Sequence, residues 1–332
     1  MKKREQLKAQ PLLKGTTIEK EFNTYHGMAE HASEWSLFCN YQLEPKGMDG
    51  KYKILELSSM QIVGHDMVGG FMFSFQAPKD KVCFSVIKEV EGKACFGRTK
   101  LLPGMIVVFS GRDMHNFMSN AKITVIDVSI DKHYALPLIA RLEAAQQMFF
   151  YDTYGAMEYL LQNILETHNG HINRTLALTL ESNIVNEMSL LIENQEAESS
   201  KLTKGEVIAF DIRDKVFKHM DGKLNTQMLA QQHKVTTQTL QNSFKSLFGY
   251  TPQLFLRLLK LNLVHHELYE ANERDTTVLR VGQTWGFDHM GRLAGFYKEL
   301  FGEIPSATLK EENQKDDGMR LGCVERQEEI IV

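Results

Sequence analysis

The chain has 332 residues, 43% of them hydrophobic and 24% charged, with a formal net charge of −4. This composition suits a soluble globular protein of about two domains, and no stretch approaches the roughly 18 consecutive apolar residues of a membrane helix. The basic N-terminus lacks the apolar run of a secretory signal, and the four scattered cysteines form no C-x-x-C pair, which argues against a disulfide framework and a zinc site. We therefore expect a cytoplasmic protein without a membrane segment.

Segments with the composition of short β-strands occupy the region from about residue 35 to residue 130. They are rich in β-branched and aromatic residues and are separated by turn residues such as Pro103-Gly104. The predicted strands are Trp35–Leu43, Lys53–Val63, Gly70–Phe75, Lys81–Val90, Met105–Ser110 and Ile123–Ser129. This spacing predicts an antiparallel sandwich or barrel within residues 1–135.

From about Leu136 onward the apolar residues follow a helical period. The pattern predicts helices from Leu138 to Phe149, from Met157 to Leu165 and from Leu176 to Leu191. We take these helices as one segment, residues 136–197, followed by a polar linker, residues 198–204. Residues 205–310 are again helical, and residues 311–332, with three basic and seven acidic side chains, indicate an acidic disordered tail. The chain is therefore expected to be an α+β protein.

A unit of about 50 residues is duplicated near the C-terminus. Six residues recur 53 positions later: Leu240, Phe244, Lys245, Phe248, Gly249 and Pro252 match Leu293, Tyr297, Lys298, Phe301, Gly302 and Pro305. Closer to the start of the unit the offset is 52, so that Ala230 matches Gly282 and Val235 matches Phe287. Each unit predicts a short helix, a tight turn and a second helix, with a small residue where the two helices approach.

The ends of these helices are marked by capping residues. In the first unit Thr236 or Thr237 caps the second helix, Gly249 ends it and Pro252 starts the next one; in the second unit Thr276 or Thr277 caps the first helix, Gly286 makes the turn and Asp288 caps the second helix. The helix from Pro252 to about Ala271 joins the units, and its length of roughly 30 Å is close to the ~34 Å repeat of the major groove.

Positive charge is concentrated in the duplicated segment. Residues 204–310 hold 14 basic and 11 acidic side chains, whereas residues 1–203 hold 21 basic and 24 acidic ones. Contacts to DNA phosphates need such an excess. Together with the repeat, the charge favours a double helix-turn-helix DNA-binding domain over the alternative, a helical bundle with duplicated packing.

Residues 205–309 resemble the AraC/XylS family of transcription regulators. The most specific matches are Phe248-Gly249-Tyr250-Thr251-Pro252, Trp285-Gly286-Phe287-Asp288-His289-Met290-Gly291-Arg292 and Phe301-Gly302-Glu303-Ile304-Pro305-Ser306. The resemblance implies that DNA is contacted by Thr237, Gln238, Gln241, Asn242 and Lys245 from the first recognition helix and by His289, Met290, Arg292 and Lys298 from the second. Gln and Asn side chains can hydrogen-bond adenine edges, Lys245 suits phosphate, and Arg292 suits guanine or phosphate. Many relatives carry Arg at the positions of Gln238 and Asn242.

The same resemblance implies a role for the N-terminal two-thirds. Residues 1–135 would form a cupin-like β-barrel that senses a small effector of unknown identity, and the helices between Leu142 and Glu193 would pair two subunits. Promoter DNA, RNA polymerase and a second copy of the chain are the partners that follow. Two alternatives stay open: a ligand-independent regulator controlled by protein contacts, and a barrel enzyme with a regulatory helical domain.

Neither a metal nor a cofactor is expected. His65 and His115 alone cannot supply the three ligands of a cupin-type metal site, although Gly111-Arg112-Asp113-Met114-His115-Asn116 superficially suggests one. No Ser/His/Asp or Cys/His constellation and no phosphate-binding glycine loop stands out, so the chain is not expected to be an enzyme.

Overall fold

The computed structural model describes residues 17–22, 36–45, 48–110, 114–145, 148–168, 172–194, 202–218, 220–271 and 276–310. Its strands are β1 (Thr17–Phe22), β2 (Ser36–Gln42), β3 (Asp49–Glu56), β4 (Met60–Val68), β5 (Phe71–Gln76), β6 (Lys81–Val90), β7 (Ala94–Phe96), β8 (Thr99–Lys100), β9 (Met105–Ser110), β10 (His115–Ser119), β11 (Ile123–Asp131) and β12 (Phe149–Tyr151). They form a seven-stranded sheet in the order β1-β3-β4-β11-β6-β9-β12 and a five-stranded sheet in the order β2-β5-β10-β7-β8.

The two sheets lie face to face as an antiparallel sandwich. Within the described residues they stay separate, so the closed barrel implied by the family resemblance is not what the chain forms. The predicted strand Lys53–Val63 is also wrong, because β3 ends at Glu56 and β4 begins at Met60. The hairpin between them is closed by a hydrogen bond from the Leu57 amide to the Met60 carbonyl, in a turn that contains neither Gly nor Pro.

Helices cover the outer face of the seven-stranded sheet. They are α1 (Leu136–Ala145), α2 (Ala156–Thr167) and α3 (Arg174–Asn194), and Phe149, predicted to be helical, lies in β12 instead. Successive residues of a strand point to opposite faces. Ile62 and Phe84 therefore pack with Leu161 and Ile184 of these helices, whereas the residues next to them in sequence face the other sheet. None of the helices in the described ranges is both long enough and apolar enough to cross a bilayer.

The C-terminal residues form a second group of helices. They are α4 (Lys204–Lys218), α5 (Thr226–Gln232), α6 (Thr237–Phe248), α7 (Pro252–Glu270), α8 (Val278–Thr284), α9 (Met290–Phe301) and α10 (Pro305–Lys310). Their apolar faces meet in one core that includes Phe244, Phe255 and Leu293. Of the predicted linker, residues 198–201 lie outside the described residues and Lys204 already belongs to α4, and the predicted tail, residues 311–332, also lies outside the described residues.

The five-stranded sheet is covered on both faces, and we call it the shared sheet. On one face Phe71 and Phe75 of β5 pack toward the seven-stranded sheet. On the other face Met72 of β5, Cys95 of β7 and Met118 of β10 belong to the core of the C-terminal helices. The layers therefore run from helices α1–α3 through the seven-stranded sheet and the shared sheet to the C-terminal helices.

Candidate nucleic-acid interface

The first helix-turn-helix unit consists of α5 and α6. The Thr236 hydroxyl accepts a hydrogen bond from the Thr239 amide at 3.0 Å and so caps α6, as predicted. The turn between the helices is closed by a hydrogen bond from the Val235 amide to the Ala230 carbonyl at 3.0 Å. Gly249 ends α6 in the left-handed conformation with φ 78°, which also confirms the prediction.

The second unit, α8 and α9, repeats this geometry. Thr277 caps α8 through its hydroxyl, and the Phe287 amide donates to the Gly282 carbonyl at 2.8 Å, the counterpart of the bond in the first unit. Gly286 makes the turn at φ 79°. The predicted cap Asp288 is wrong: α9 begins after His289, whose side chain makes no capping hydrogen bond.

The residues predicted on the first recognition helix α6 form one face. Thr237, Gln238, Asn242 and Lys245 are exposed, and Gln241 is half-buried beside them. Their spacing of one, four, five and eight residues places them side by side along the helix. The Gln238 side-chain amide donates a hydrogen bond to the side-chain oxygen of Asn242 at 2.9 Å, so two of the side chains predicted to read bases are paired with each other. The opposite face of α6, with Leu240 and Phe244, is buried.

The second recognition helix α9 presents a sparser face. Arg292, Lys298 and the flanking His289 are exposed, as expected for DNA contacts. Met290 is partly buried instead: its methyl group and sulfur lie 3.0 and 3.2 Å from the position that a Cβ on Gly282 would occupy. Met290 therefore fills the space between the two helices of the unit, a packing role that its place in the motif did not indicate.

The two recognition helices differ at equivalent positions. With the offset of 53 residues, Gln238, Gln241 and Asn242 of α6 correspond to Gly291, Ala294 and Gly295 of α9. An added Cβ at either glycine would meet nothing within 4 Å, so this part of α9 is bare, open backbone. Among these equivalent positions, polar side chains that can read base edges therefore stand on α6.

Helix α7 connects the two units. Its 19 residues span roughly 28 Å. Arg257 of α7 stacks over the ring of Phe296 at 4.1 Å, and Lys260 donates to the carbonyls of Gly222 and Leu224 at 2.5 and 3.0 Å. These contacts fix the connecting helix to both units. The arrangement defines a double helix-turn-helix domain, with two exposed recognition helices joined by a helix whose length is close to the ~34 Å repeat of the major groove.

The edge strand β2 of the shared sheet is joined to the helix-turn-helix domain. The Asn262 side chain of α7 accepts from the Gln42 amide at 2.8 Å and donates to the Gln42 carbonyl at 2.7 Å, as a neighbouring strand would. The Gln42 side chain donates to the Leu300 carbonyl at the end of α9, at 2.6 Å. One residue of the N-terminal half thus contacts the connecting helix and the second recognition helix together.

Ion pairs also connect the N-terminal half to helix α4 of the helix-turn-helix domain. Arg98 contacts Asp211 at 2.8 Å and Asp214 at 2.9 Å, and Lys100 contacts Glu206 at 2.5 Å. Burial alone would raise the pKa of Glu206, but hydrogen bonds from Lys100 and Thr203 lower it to about 2. Three acidic side chains of α4 are thereby paired with Arg98 and Lys100, and Glu206 also accepts a hydrogen bond from the Ser246 hydroxyl of α6 at 3.3 Å. The ion pairs of Arg98 and Lys100 were not predicted, because each joins residues more than 100 positions apart.

A cavity of about 120 Å³ lies between the two sheets. It is lined by Gln61, Val63, His65, Met67, Phe73, Phe75, Ser85, Ile87, Phe96, Leu101, Val107, Phe109, Phe117, Val125, Asp127 and Ser129. His65 Nε2 lies 3.1 Å from Asp127 Oδ2, and the Ser85 hydroxyl donates to the other Asp127 oxygen. The sequence held a partial signal for this polar corner: Gln61 and His65 stand an even number of positions apart on β4 and so point to the same face, as do Asp127 and Ser129 on β11.

Histidine and cysteine side chains were the candidates for metal chemistry. His115 is buried among the rings of Phe75, Phe96 and Phe109, at centroid distances of 5.3 to 5.6 Å. Across the described ranges, no three His, Cys, Asp or Glu side chains converge as metal ligands would. Burial raises the pKa of the Cys95 thiol to about 11. Gly111, Arg112 and Asp113 of the suspected motif lie outside the described residues.

Comparison with known proteins identifies the domain. Residues 229–311 match a family described as "Helix-turn-helix domain". A segment of 92 residues is 33% identical to the "Probable thc operon regulatory protein" of Rhodococcus erythropolis, and an equally long one is 30% identical to the "XylDLEGF operon transcriptional activator 1" of Pseudomonas putida. Each match covers 28% of this chain and 28% of the relative. The predicted resemblance to AraC/XylS regulators is confirmed for the helix-turn-helix domain, which is of that type.

Two solved structures to which the chain is similar are those of transcription regulators. The AraC-like transcriptional activator CuxR has a TM-score of 0.43 at 11% identity, over 74% of this chain and 94% of that chain. ToxT from Vibrio cholerae has a TM-score of 0.29 at 11% identity, over 76% and 98%. The assignment of the domain depends on the sequence matches and on the duplicated geometry.

Proposed function

We propose that the protein is a sequence-specific transcription regulator that binds promoter DNA through residues 205–310. The observation that carries the proposal is the pair of recognition helices, α6 and α9. They are joined by one connecting helix, and their polar faces are exposed. Residues 1–135 then serve as the sensor, residues 136–197 as its helical segment, residues 198–204 as the linker and residues 311–332 as an acidic tail. RNA polymerase is the partner through which such a regulator acts.

In this proposal α6 contributes more base-reading side chains than α9. Gln238, Gln241 and Asn242 of α6 carry amides that can bond base edges, and Lys245 supplies charge for a phosphate. On α9 the bare surface at Gly291 and Gly295 brings backbone close to the duplex, while Arg292 reaches a base or phosphate. Specificity is therefore expected mainly from the half of the site under α6.

Control by a small effector in the N-terminal domain is the second part of the proposal. The cavity supports it, because β5 lines the cavity with Phe73 and Phe75 while Met72 of the same strand packs on the helix-turn-helix core. A molecule that enters the cavity would press on the strand that the DNA-binding domain contacts. The effector and the domain would thus be coupled through a single layer of backbone.

A homodimer formed through helices α1–α3 completes the proposal. Leu178 and Leu190 of α3 and Tyr159 of α2 are large apolar side chains exposed on this layer, where a second copy would cover them. Sedimentation of the purified chain tests the oligomeric state. A strictly monomeric species at micromolar concentration would remove this part of the proposal and leave the DNA-binding part intact.

Binding to promoter fragments, followed by fluorescence anisotropy across a range of salt concentrations, tests the central claim. Arg292→Ala is expected to weaken specific binding by about 1–3 kcal/mol if Arg292 reads a base. Lys245→Ala is expected to weaken binding to every duplex and to lower the salt slope by about 1. Lys51→Ala, which removes an exposed lysine of the seven-stranded sheet, is the matched control and should change neither quantity.

Each variant has an outcome that contradicts its assigned role. An unchanged footprint and affinity for Arg292→Ala would remove that residue from the interface, and an unchanged salt slope for Lys245→Ala would show that it contacts no phosphate. If wild-type protein prefers no promoter sequence over random duplex at any salt concentration, the proposed function is wrong.

A further inference from the structure

We propose that the cavity between the two sheets binds a small ring-shaped molecule that carries one hydrogen-bond-donating head group, an amine or a hydroxyl, and that it disfavours carboxylates. This inference rests on the proposed function, since it names the chemistry of the effector. It is carried by the aromatic walls of the cavity, by its size and by the carboxylate at its polar corner.

Aromatic side chains of the shared sheet form most of one wall of the cavity, and Phe109 of β9 meets them from the seven-stranded sheet. The rings of Phe73 and Phe117 lie 5.3 Å apart, as do those of Phe96 and Phe109, and Phe75 contacts both Phe96 and Phe109 at 5.9 and 5.5 Å. Ring edges and faces at these distances offer offset or edge-to-face contacts to another planar ring. The walls therefore favour a ligand with an aromatic body over a flexible chain.

The size of the cavity suits a ligand of about one ring. Its volume of about 120 Å³ is somewhat smaller than that of an engineered apolar cavity, about 150 Å³, which binds benzene. Sugars and larger polycyclic molecules would need more space and more polar partners. A single six-membered ring with a one-atom or two-atom head group fits the volume.

The polar corner selects the head group. Asp127 contributes a carboxylate, which His65 contacts at one oxygen and the Ser85 hydroxyl at the other. A carboxylate oxygen has lone pairs for more than one hydrogen bond, so Asp127 can also accept from a ligand N–H or O–H. The negative charge of this carboxylate attracts an ammonium and repels a second carboxylate.

Three probes that share one ring test the inference on the full-length protein. Benzylamine presents a cationic donor, benzyl alcohol a neutral donor and benzoate an anion, and calorimetry with saturation-transfer NMR measures their binding. We expect benzylamine or benzyl alcohol to bind and benzoate to bind at least about tenfold more weakly than the better of the two. If benzylamine is the tightest probe, the head group is an amine; if benzyl alcohol is, it is a hydroxyl.

Asp127→Asn removes the charge with little change in shape. It should weaken benzylamine by about tenfold or more and narrow the gap between benzyl alcohol and benzoate. Asp66→Asn on β4 is the control, because Asp66 points out of the cavity and pairs with Lys51 at 3.4 Å and with Thr124 at 2.9 Å. Equal effects of the two substitutions would overturn the assignment to Asp127.

Two results on the wild-type protein would overturn the inference even if a variant fails to fold. One is benzoate as the tightest probe, and the other is no binding of any probe at millimolar concentration. Anisotropy measurements on promoter DNA run beside these titrations. If the protein binds promoter DNA specifically but binds no probe, only the proposed ligand class is refuted. If the protein prefers no promoter sequence over random duplex, the proposed function itself is refuted.

Discussion

The glycines that end the two recognition helices provide a matched pair of perturbations. Gly249 and Gly302 occupy equivalent positions with nearly equal φ angles of 78° and 81°. Alanine at either position would be held in the left-handed region. The surroundings differ, however: a Cβ on Gly249 would lie 1.8 Å from Asn120 Nδ2, whereas a Cβ on Gly302 would meet nothing within 4 Å.

The expected magnitudes follow from these surroundings. Left-handed backbone costs an alanine about 1–2 kcal/mol, and this is the whole expected loss for Gly302→Ala. At position 249 the methyl group must also displace the Asn120 side chain, which donates to the Phe248 carbonyl at 3.1 Å and accepts from the Lys93 amide at 2.6 Å. Losing such a contact adds about 1 kcal/mol. Gly249→Ala should therefore destabilise the protein by about 1 kcal/mol more than Gly302→Ala.

Urea unfolding of the full-length chain, followed by circular dichroism, measures the difference. Repeating both substitutions in an Asn120→Ala background completes a double-mutant cycle, and there the extra loss at position 249 should disappear. Equal losses for the two glycines in the wild-type background would refute the reasoning. So would an excess at position 249 that persists without the Asn120 side chain, because the steric contact could then not be its cause.

Two further predictions concern the pH dependence of stability. Burial lowers the pKa of His265 to about 4, with its ring stacked on Phe301 at 4.4 Å and Nδ1 hydrogen-bonded to the Tyr297 hydroxyl. Since the unfolded chain takes up the proton near pH 6.5, this stability is complete above pH 6.5 and falls by about 2 kcal/mol by pH 5. His265→Phe should lose less stability than wild type between pH 7 and pH 5, and parallel losses in urea titrations would contradict this. Burial raises the pKa of Glu181, which accepts from the Ser59 amide at 2.6 Å, so its contribution is present below about pH 4.5 and is lost as pH rises through the raised pKa. Glu181→Gln keeps an acceptor for Ser59 and should gain stability relative to wild type as pH rises from 4.5 to 7; a constant difference across that range would be inconsistent with a buried, titrating carboxyl.

The helix-turn-helix domain could be predicted from sequence because local chemistry marks it. Thr236, Gly249 and Pro252 each fix a helix end through contacts within a few residues of themselves. Duplication then repeats the same marks, so that each unit supports the interpretation of the other. The contact residues proposed for α6 and α9 follow from the family resemblance, whereas helical spacing alone predicts the buried face of α6 that holds Leu240 and Phe244.

The N-terminal half was harder to predict, because its determinants are not local. Gln42 and Asn262 stand 220 positions apart, and nothing in either segment indicates that an amide side chain would complete the edge of a strand. The hairpin after Glu56 lacks the Gly or Pro that usually marks a turn. The motif also gave no indication that Met290 would fill the space that the small Gly282 leaves between two helices.

The shared sheet also determines how freely the two halves could have been recombined in evolution. Because Met72, Cys95 and Met118 meet the core of the C-terminal helices while their neighbours in sequence enclose the cavity, β5, β7 and β10 are covered on both faces where these residues lie. Grafting the DNA-binding segment onto a foreign sensor would expose these side chains to water. It would also leave the Asn262 side-chain amide without its partner Gln42. The two halves are therefore not independently exchangeable. A substitution on one side of their interface is expected to require a compensating substitution on the other.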